Sequence, residues 1–115
     1  MTDPMLKAPG HLKAATRRWW QSVVSDWQLE EHHVRLLTLA AESWDRCQEA
    51  RELIAREGLT CPTKSGGPRL HPAVRVETDS KIAFSRLLRE LDLDVAPPAD
   101  AKKPPSLRSL RSMTR

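Results

Sequence analysis

Histidines and cysteines are the side chains of this sequence best suited to hold a metal ion, but their spacing argues against a metal site. The run Glu-Glu-His-His at 30–33 lacks the zinc pattern H-E-x-x-H, in which two histidines share one face of a helix. Cys47, Cys61 and His71 have no paired-ligand spacing such as C-x-x-C. No group of acid, base and nucleophile stands out either. We therefore expect no metal, no cofactor and no catalytic residue, so the protein is not expected to be an enzyme.

A second motif with chemical interest is the run Lys-Ser-Gly-Gly at 64–67, whose residue types suit a phosphate-binding loop. The run lacks the full pattern G-x-x-x-x-G-K-[ST], a strand before it and a metal-binding acid after it. Prolines and glycines on both sides of it are typical of a loop. We interpret the segment as a turn with a short hairpin around residues 65–67.

Charge is the remaining feature that could serve binding, and it is concentrated at the two ends of the chain. The formal net charge is +4. The first twenty residues hold one acid, Asp3, and the basic residues Lys7, Lys13, Arg17 and Arg18. Residues 96–115 hold one acid, Asp100, and the basic residues Lys102, Lys103, Arg108, Arg111 and Arg115. Basic ends around a mildly acidic middle indicate a polyanionic partner, most often nucleic acid, although charge alone is equally compatible with two solvated tails.

The elements that must position these residues are helices. The longest is expected at residues 30–57, which contain no proline or glycine and many good helix formers. Gly58 follows, where a helix end often needs a left-handed residue. A first helix is expected at 11–26 and a third at about 72–91, with Pro72 in its first position. The expected fold is all-α, with three main helices, a long central helix and a Gly/Pro loop before the third.

The chain divides into three parts by composition. Residues 1–10 predict a flexible arm, and residues 11–95 a helical domain for oligomerisation and DNA binding. Residues 96–115 are rich in proline and poor in large apolar residues, which predicts a disordered basic tail. No apolar run reaches 18 residues, and the N-terminus lacks the apolar middle of a signal peptide, so the cytoplasm is the expected compartment.

The long helix has an apolar face that is too wide for a chain of this size to cover alone. Its apolar residues form two stripes about 100° apart, and at about 1.5 Å per residue the helix is roughly 40 Å long. Other helices, from this chain or from a neighbour, must lie along it. We expect a homo-oligomer of more than four copies, with an interface that includes Leu36, Leu39, Trp44 and Leu53.

The tryptophans at 19, 20, 27 and 44 could stack on nucleic-acid bases, and the chain contains no tyrosine. At helical spacing, tryptophans more often anchor a core or an interface. We predict that Trp19 and Trp44 are both buried anchors, one of them near a subunit boundary.

Several of these features occur in one order that resembles a known family. A basic arm precedes a helix with Trp19 and Trp20, and a long helix then ends in Arg-Glu-Gly at 56–58. A Gly/Pro loop follows, and His71-Pro72 opens a helix that ends in Leu-Leu-Arg-Glu-Leu-Asp-Leu at 87–93. Over about residues 8–95 the chain resembles the small subunits of phage terminases from tailed phages with HK97-like packaging systems. It departs from them after the third helix, because the family usually has Leu-Gly-Leu-Thr-Pro there.

The resemblance implies a helical, non-enzymatic protein in the host cytoplasm. Such proteins assemble into rings, recognise double-stranded viral DNA and present it to the terminase large subunit, which carries the ATPase motor and the nuclease. In that setting we expect DNA contacts from Lys7, Lys13, Arg17 and Arg18. Contacts with the large subunit or with DNA are expected from the tail residues Lys102, Lys103, Arg108, Arg111 and Arg115.

Other classes of protein remain open at this point. A small helical transcriptional regulator is the main alternative, although the second helix is about twice as long as a usual recognition helix. A small enzyme would need a catalytic group that the sequence does not offer. A structural oligomer whose tail charge serves only solubility would show no DNA retention at low salt.

Overall fold

The computed structural model describes residues 6–93, and most of them are helical. The elements in chain order are α1 (Ala14–Asp26), α2 (Glu31–Glu57), β1 (Thr60–Pro62), β2 (Pro68–Leu70) and α3 (Pro72–Leu91). The predicted all-α class, the long central helix and the loop before the third helix are confirmed. The predicted disordered tail, residues 96–115, lies outside the described residues.

Helix α2 is held at both ends by its own sequence. At its start the Glu30 carboxylate accepts from the His33 backbone, and the His33 ring Nδ1 accepts from the Glu30 N–H at 3.1 Å. This capping box satisfies donors that helix geometry leaves unpaired. At its end the Gly58 N–H donates to the Ile54 carbonyl at 2.7 Å. Gly58 has a φ of 89°, so the predicted role of this glycine at the helix end is confirmed.

Gly58→Ala should lower the free energy of unfolding by about 1–3 kcal/mol, because φ 89° and ψ 170° lie in a region nearly restricted to glycine. No atom lies within 4 Å of an added Cβ, so the backbone alone sets this cost. Gly67→Ala is the matched control, since its position is equally open and its φ is not left-handed. Urea titration should place the control within about 0.5 kcal/mol of the wild type. Equal losses in both variants would contradict this account.

Helix α1 begins at Ala14 and not at His11, where the sequence predicted its start. The residues before it form a turn in which the Leu12 N–H donates to the Pro9 carbonyl at 3.4 Å. Lys13 is the N-cap, with an extended backbone at φ −65° and ψ 155°. The turn is therefore outside the helix even though its residues have acceptable helix propensity.

The described part of the predicted arm, residues 6–10, has no helix or strand but lies against α1. The Gln21 side chain accepts from the Ala8 N–H at 3.1 Å and donates to the Leu6 carbonyl at 3.0 Å. Leu6 and Ala8 are partly buried against the core. One glutamine of α1 therefore attaches this stretch to the helix.

The core lies where α1 packs on α2 and on the end of α3. Its largest fully buried side chains are Trp20 and Leu37. The Trp20 Nε1 donates to the Thr38 hydroxyl at 3.2 Å, which satisfies the single donor of the indole ring. The other buried members of this cluster are Leu12, Val23, Val24, Leu29, Ala41 and Leu91.

Strands β1 and β2 form a short antiparallel hairpin, as the sequence predicted for this loop. Beyond it, His71 is the N-cap of α3, and its Nδ1 accepts from the Ala73 N–H at 3.0 Å. Because Nδ1 accepts, Nε2 carries the proton and donates to the Glu57 carboxylate at 2.8 Å. This one histidine therefore ties the start of α3 to the end of α2.

Helix α3 ends at Asp92, which has left-handed backbone angles of φ 57° and ψ 41°. Its N–H donates to the carbonyls of Leu88 at 3.0 Å and Arg89 at 3.1 Å. Glycine is the usual residue for this conformation, and aspartate tolerates it better than most residues do. The departure from Leu-Gly-Leu-Thr-Pro therefore keeps the helix end that a glycine would give.

Candidate DNA-binding and subunit-contact surfaces

The start of α1, where the predicted DNA-binding residues cluster, is fixed by a buried carboxylate from α2. Asp45 is 7% exposed. One of its oxygens accepts from the Lys13 N–H at 2.8 Å, and the other accepts from the buried Thr16 hydroxyl at 2.5 Å. Negative charge is favourable at the N-terminus of a helix, where unpaired N–H groups point outward. Asp45 therefore sets the direction in which the first turn of α1 presents its side chains.

Two of the predicted DNA-binding residues already have partners within the chain. The Arg17 Nη1 donates to the Leu12 carbonyl at 2.6 Å and to the Gly10 carbonyl at 3.3 Å. The Lys13 Nζ lies 3.9 Å from the Glu52 carboxylate. Arg17 thus stabilises the turn before α1, which leaves fewer of its N–H donors for a phosphate.

The other two predicted DNA-binding residues, Lys7 and Arg18, are exposed. Neither makes an ion pair with another residue between 6 and 93. A phosphate could therefore approach them without first displacing a carboxylate. Binding of DNA by any of the four residues stays a prediction.

An aromatic groove is open between the three helices, and it is lined by Ala15, Thr16, Trp19, Trp44 and Phe84. Its volume is about 410 Å³. The Phe84 ring lies 5.1 Å from the Trp44 ring and 5.9 Å from the Trp19 ring, centroid to centroid, with tilted planes. These are distances at which aromatic rings attract each other. The groove can therefore receive an apolar side chain between rigid aromatic walls.

The prediction that Trp19 and Trp44 are both buried is wrong for the single chain. Trp19 is half-buried and Trp44 is 42% exposed, whereas Trp20 is 1% exposed. Adjacent residues on a helix point about 100° apart, so only one of Trp19 and Trp20 can face the core fully. Trp44 faces the groove, where α1 and α3 cover only part of its ring. A place for it near a subunit boundary stays a prediction.

The four predicted interface residues of α2 differ in exposure. Leu39 is 51% exposed and Trp44 42%. Leu36 packs against the core, and Leu53 is half-buried. Ile82 of α3, which sequence reasoning did not select, is 46% exposed. Among these five residues, a neighbouring subunit would therefore gain most from Leu39, Trp44 and Ile82.

A second groove beside α2 has polar and acidic walls. It has a volume of about 480 Å³ and includes Leu39, Glu42, Glu49 and Asp79. His11 closes one side of it, with its Nε2 2.7 Å from the Glu42 carboxylate. The groove also holds Arg46, which is paired with Glu49, and the remaining carboxylates would repel a phosphate, so the groove itself does not suit DNA.

The C-terminal end of α2, the hairpin and the start of α3 carry four cations that sequence reasoning did not select. Arg56 is in the last turn of α2, Lys64 is in the hairpin tip, Arg69 is on β2 and Arg75 is near the start of α3. We call these four residues the hairpin cations. All four are exposed, and none makes an ion pair within residues 6–93. The four residues lie within one stretch of twenty, which could have indicated a basic segment. Acidic residues elsewhere in the middle of the chain made the charge total of that region negative, so the segment was not selected.

Within residues 6–93 the structure contains no group of three or more His, Cys, Asp or Glu side chains that could hold a metal ion. In the same part of the chain, no helix has the length and apolar character that a membrane span requires. The predicted tail contacts at Lys102, Lys103, Arg108, Arg111 and Arg115 lie outside the described residues.

The described residues form a small helical protein with a basic start, a basic hairpin end and an open aromatic groove. Residues 13–106 match the model of a family described as phage terminase, small subunit. Because the match covers most of the chain, the protein belongs to this phage DNA-packaging family, whose members are generally non-catalytic regulatory subunits. No curated protein and no solved structure matches the chain.

Proposed function

We propose that the protein binds double-stranded viral DNA as a ring-like homo-oligomer of more than four copies. In this role it presents the DNA to the terminase large subunit, which carries the ATPase and the nuclease, in the host cytoplasm. The observation that carries the proposal is the family match over residues 13–106. The surfaces of the described chain support its separate parts.

Assembly is supported by apolar side chains that the single chain leaves open. Leu39 is 51% exposed, Ile82 46% and Trp44 42%, and Trp44 borders the aromatic groove. Exposed large apolar side chains are typical of a subunit interface, although only Trp44 of these three lines the aromatic groove. A closed ring would bury them against the next copy and leave no copy with an open face.

DNA binding is supported by the free cations at the start of the chain. Lys7 and Arg18 are exposed, and Asp45 holds the first turn of α1 in a fixed orientation. A fixed basic surface can hold DNA in one register, whereas a basic tail adds attraction with little sequence preference. We therefore assign the start of α1 to DNA. The tail residues Lys102, Lys103, Arg108, Arg111 and Arg115 are assigned mainly to the large subunit.

The test is a native mass measurement followed by salt-titrated binding to duplex DNA. The wild type should have a mass of more than four copies, and its log affinity should fall with log salt by about 0.9 per phosphate contact. Lys7→Ala with Arg18→Ala should lower affinity at least about tenfold at 0.15 M salt, since two contacts are lost in each bound subunit. The control Arg35→Ala with Lys81→Ala removes the same charge from side chains already paired with glutamates, and should change affinity less.

Deletion of residues 98–115 should mainly weaken docking to the large subunit. If that deletion abolishes DNA binding while the Lys7 and Arg18 variant binds normally, the two roles are assigned the wrong way round. A monomer at micromolar concentration would refute the ring, and a wild type that does not bind DNA at low salt would refute the DNA-binding role.

A further inference from the structure

The end of α2 and the hairpin that follows it form a continuous exposed segment, residues 55–70, in which only Cys61 and Thr63 are half-buried. Five of its six strand residues are exposed, and Cys61 is the half-buried exception. A loop of this length could simply join two antiparallel helices. The strand pairing and the surrounding side chains indicate that it has a further use.

The hairpin is rigid at its tip. The Thr63 N–H donates to the Gly67 carbonyl at 3.1 Å, and the Gly66 N–H donates to the Thr63 carbonyl at 3.0 Å. The Thr63 hydroxyl adds a hydrogen bond to the Gly67 carbonyl at 2.7 Å. The strands between tip and base pair in register, with Cys61 opposite Arg69.

The hairpin is equally well anchored at its base. The His71 N–H donates to the Leu59 carbonyl at 2.7 Å, while the His71 ring caps α3 and binds Glu57. These bonds join the ends of both long helices to both strands. The hairpin therefore keeps one orientation relative to α2 and α3, and its side chains are presented at fixed places.

Within residues 6–93 the hairpin cations have no acidic partner, a property that they share with Arg86 and Arg89 but not with the other basic residues of α2 and α3. Arg35, Arg46, Arg51 and Lys81 each lie within 4.0 Å of a glutamate carboxylate. Arg56, Lys64, Arg69 and Arg75 have no such neighbour within residues 6–93. Glu57, the acid closest to them in sequence, is already bound to His71. Because the His71 ring is neutral, Glu57 keeps its negative charge, so residues 56–75 hold four cations and one acid and have a net charge of +3.

We propose that this hairpin is a second DNA-binding element, which places the hairpin cations along the phosphates of a duplex. The inference rests on the proposed function, namely that the protein binds duplex DNA. At about 3.3 Å per residue, each three-residue strand is roughly 10 Å long. Lys64 lies in the turn at the tip, Arg69 in the middle of β2 and Arg75 in the first turn of α3, so the cations are spread from the tip of the hairpin to its base. A duplex carries one charge per about 1.7 Å of axis, so a hairpin of this length can lie along several phosphates.

The extended arrangement favours DNA over an acidic patch of a protein. A compact acidic patch would be matched by cations gathered at one point, whereas these cations follow the hairpin from tip to base. A two-stranded ribbon also has dimensions that the major groove of B-DNA admits. Leu59 and Leu70, both about 60% exposed, lie at the base of the hairpin, so apolar side chains accompany the cations there.

The test compares Lys64→Ala with Arg69→Ala against the matched control Arg86→Ala with Arg89→Ala. Both pairs remove two exposed cations without ion-pair partners, but the control pair lies near the opposite end of α3. Native mass and melting temperature should match the wild type in both. At 0.15 M salt the hairpin variant should bind duplex DNA about 10–30-fold more weakly, and its log–log salt slope should fall by about 1.8 per bound subunit. The control should lose less than about threefold.

The possible outcomes separate this inference from the proposed function. If the wild type fails to bind DNA at low salt, the proposed function fails and the inference fails with it. If the wild type binds but the hairpin variant matches the control, the inference alone is overturned. If the hairpin variant keeps its DNA affinity but loses docking to the large subunit, the hairpin is a protein-binding element and the inference is also overturned.

Discussion

Trp20→Ala should lower the free energy of unfolding by about 3–5 kcal/mol, because the indole is only 1% exposed. It packs between α1 and α2 in the cluster that contains Leu37, which is 0% exposed. Truncation removes this burial and leaves a cavity that the surrounding helices can close only in part. It also removes the indole N–H that donates to the Thr38 hydroxyl, which keeps its own hydrogen bond to the Val34 carbonyl at 2.9 Å. Urea unfolding at one fixed protein concentration measures the loss, since assembly adds to stability.

Trp44→Ala is the informative comparison, since it deletes the same side chain from the same region of the fold. Trp44 is 42% exposed, so its loss should cost the single chain about 1–2 kcal/mol. Its larger effect should be on the native mass, if the aromatic groove meets a neighbouring subunit. An equal loss of stability in the two variants, with the oligomer unchanged in Trp44→Ala, would mean that Trp44 belongs to the core and not to an interface.

The end of α2 and the start of α3 could be predicted, because the residues that determine them lie next to them in the sequence. Pro72 suits the first position of a helix, and Gly58 supplies the positive φ at which α2 ends. Both act within one turn of their own position. The predicted third helix, residues 72–91, matches the observed one, and the long helix differs by a single residue at its start.

The start of α1 could not be predicted in the same way, because a distant residue determines it. His11 and Leu12 are compatible with a helix, but Asp45 binds the Lys13 N–H and the helix begins after it. Nothing near Lys13 in the sequence indicates that a carboxylate 32 residues away reaches it. Only the packing of α1 on α2 shows this contact.

The candidate surfaces were predictable only where one residue type dominates a segment. The basic start of the chain was visible as a run of lysine and arginine. The hairpin cations were not, because the helices on either side contribute glutamates such as Glu52 and Glu77 that bring the local charge balance down. In the structure those glutamates pair with Lys13, the N-cap of α1, and with Arg51 of α2. A charge total cannot show which cations remain free.

Asp45→Ala should lower the free energy of unfolding by about 2–4 kcal/mol. Hydrogen bonds to a charged group contribute about 1.5–3 kcal/mol, and donors that lose their acceptor in a buried site add a desolvation cost. The Lys13 N–H and the Thr16 hydroxyl would both lose their acceptor, and Thr16 is only 4% exposed. Asp79→Ala is the control, since Asp79 is an exposed acid of α3 that borders the same polar groove. It should change stability by less than about 0.5 kcal/mol.

A double-mutant cycle with Thr16→Val tests whether the loss comes from this contact. Thr16→Val keeps the volume of the side chain and removes only the hydroxyl that donates to Asp45. Residues in direct contact show coupling of about 0.5–3 kcal/mol, so the double variant should lose clearly less stability than the two single losses added together. Strict additivity would mean that the two side chains act independently.

The fixed start of α1 also presents Arg18, so Asp45→Ala should weaken DNA binding even in the fraction of protein that remains folded and assembled. Unchanged affinity in that fraction would show that the orientation of α1 does not control the DNA contact.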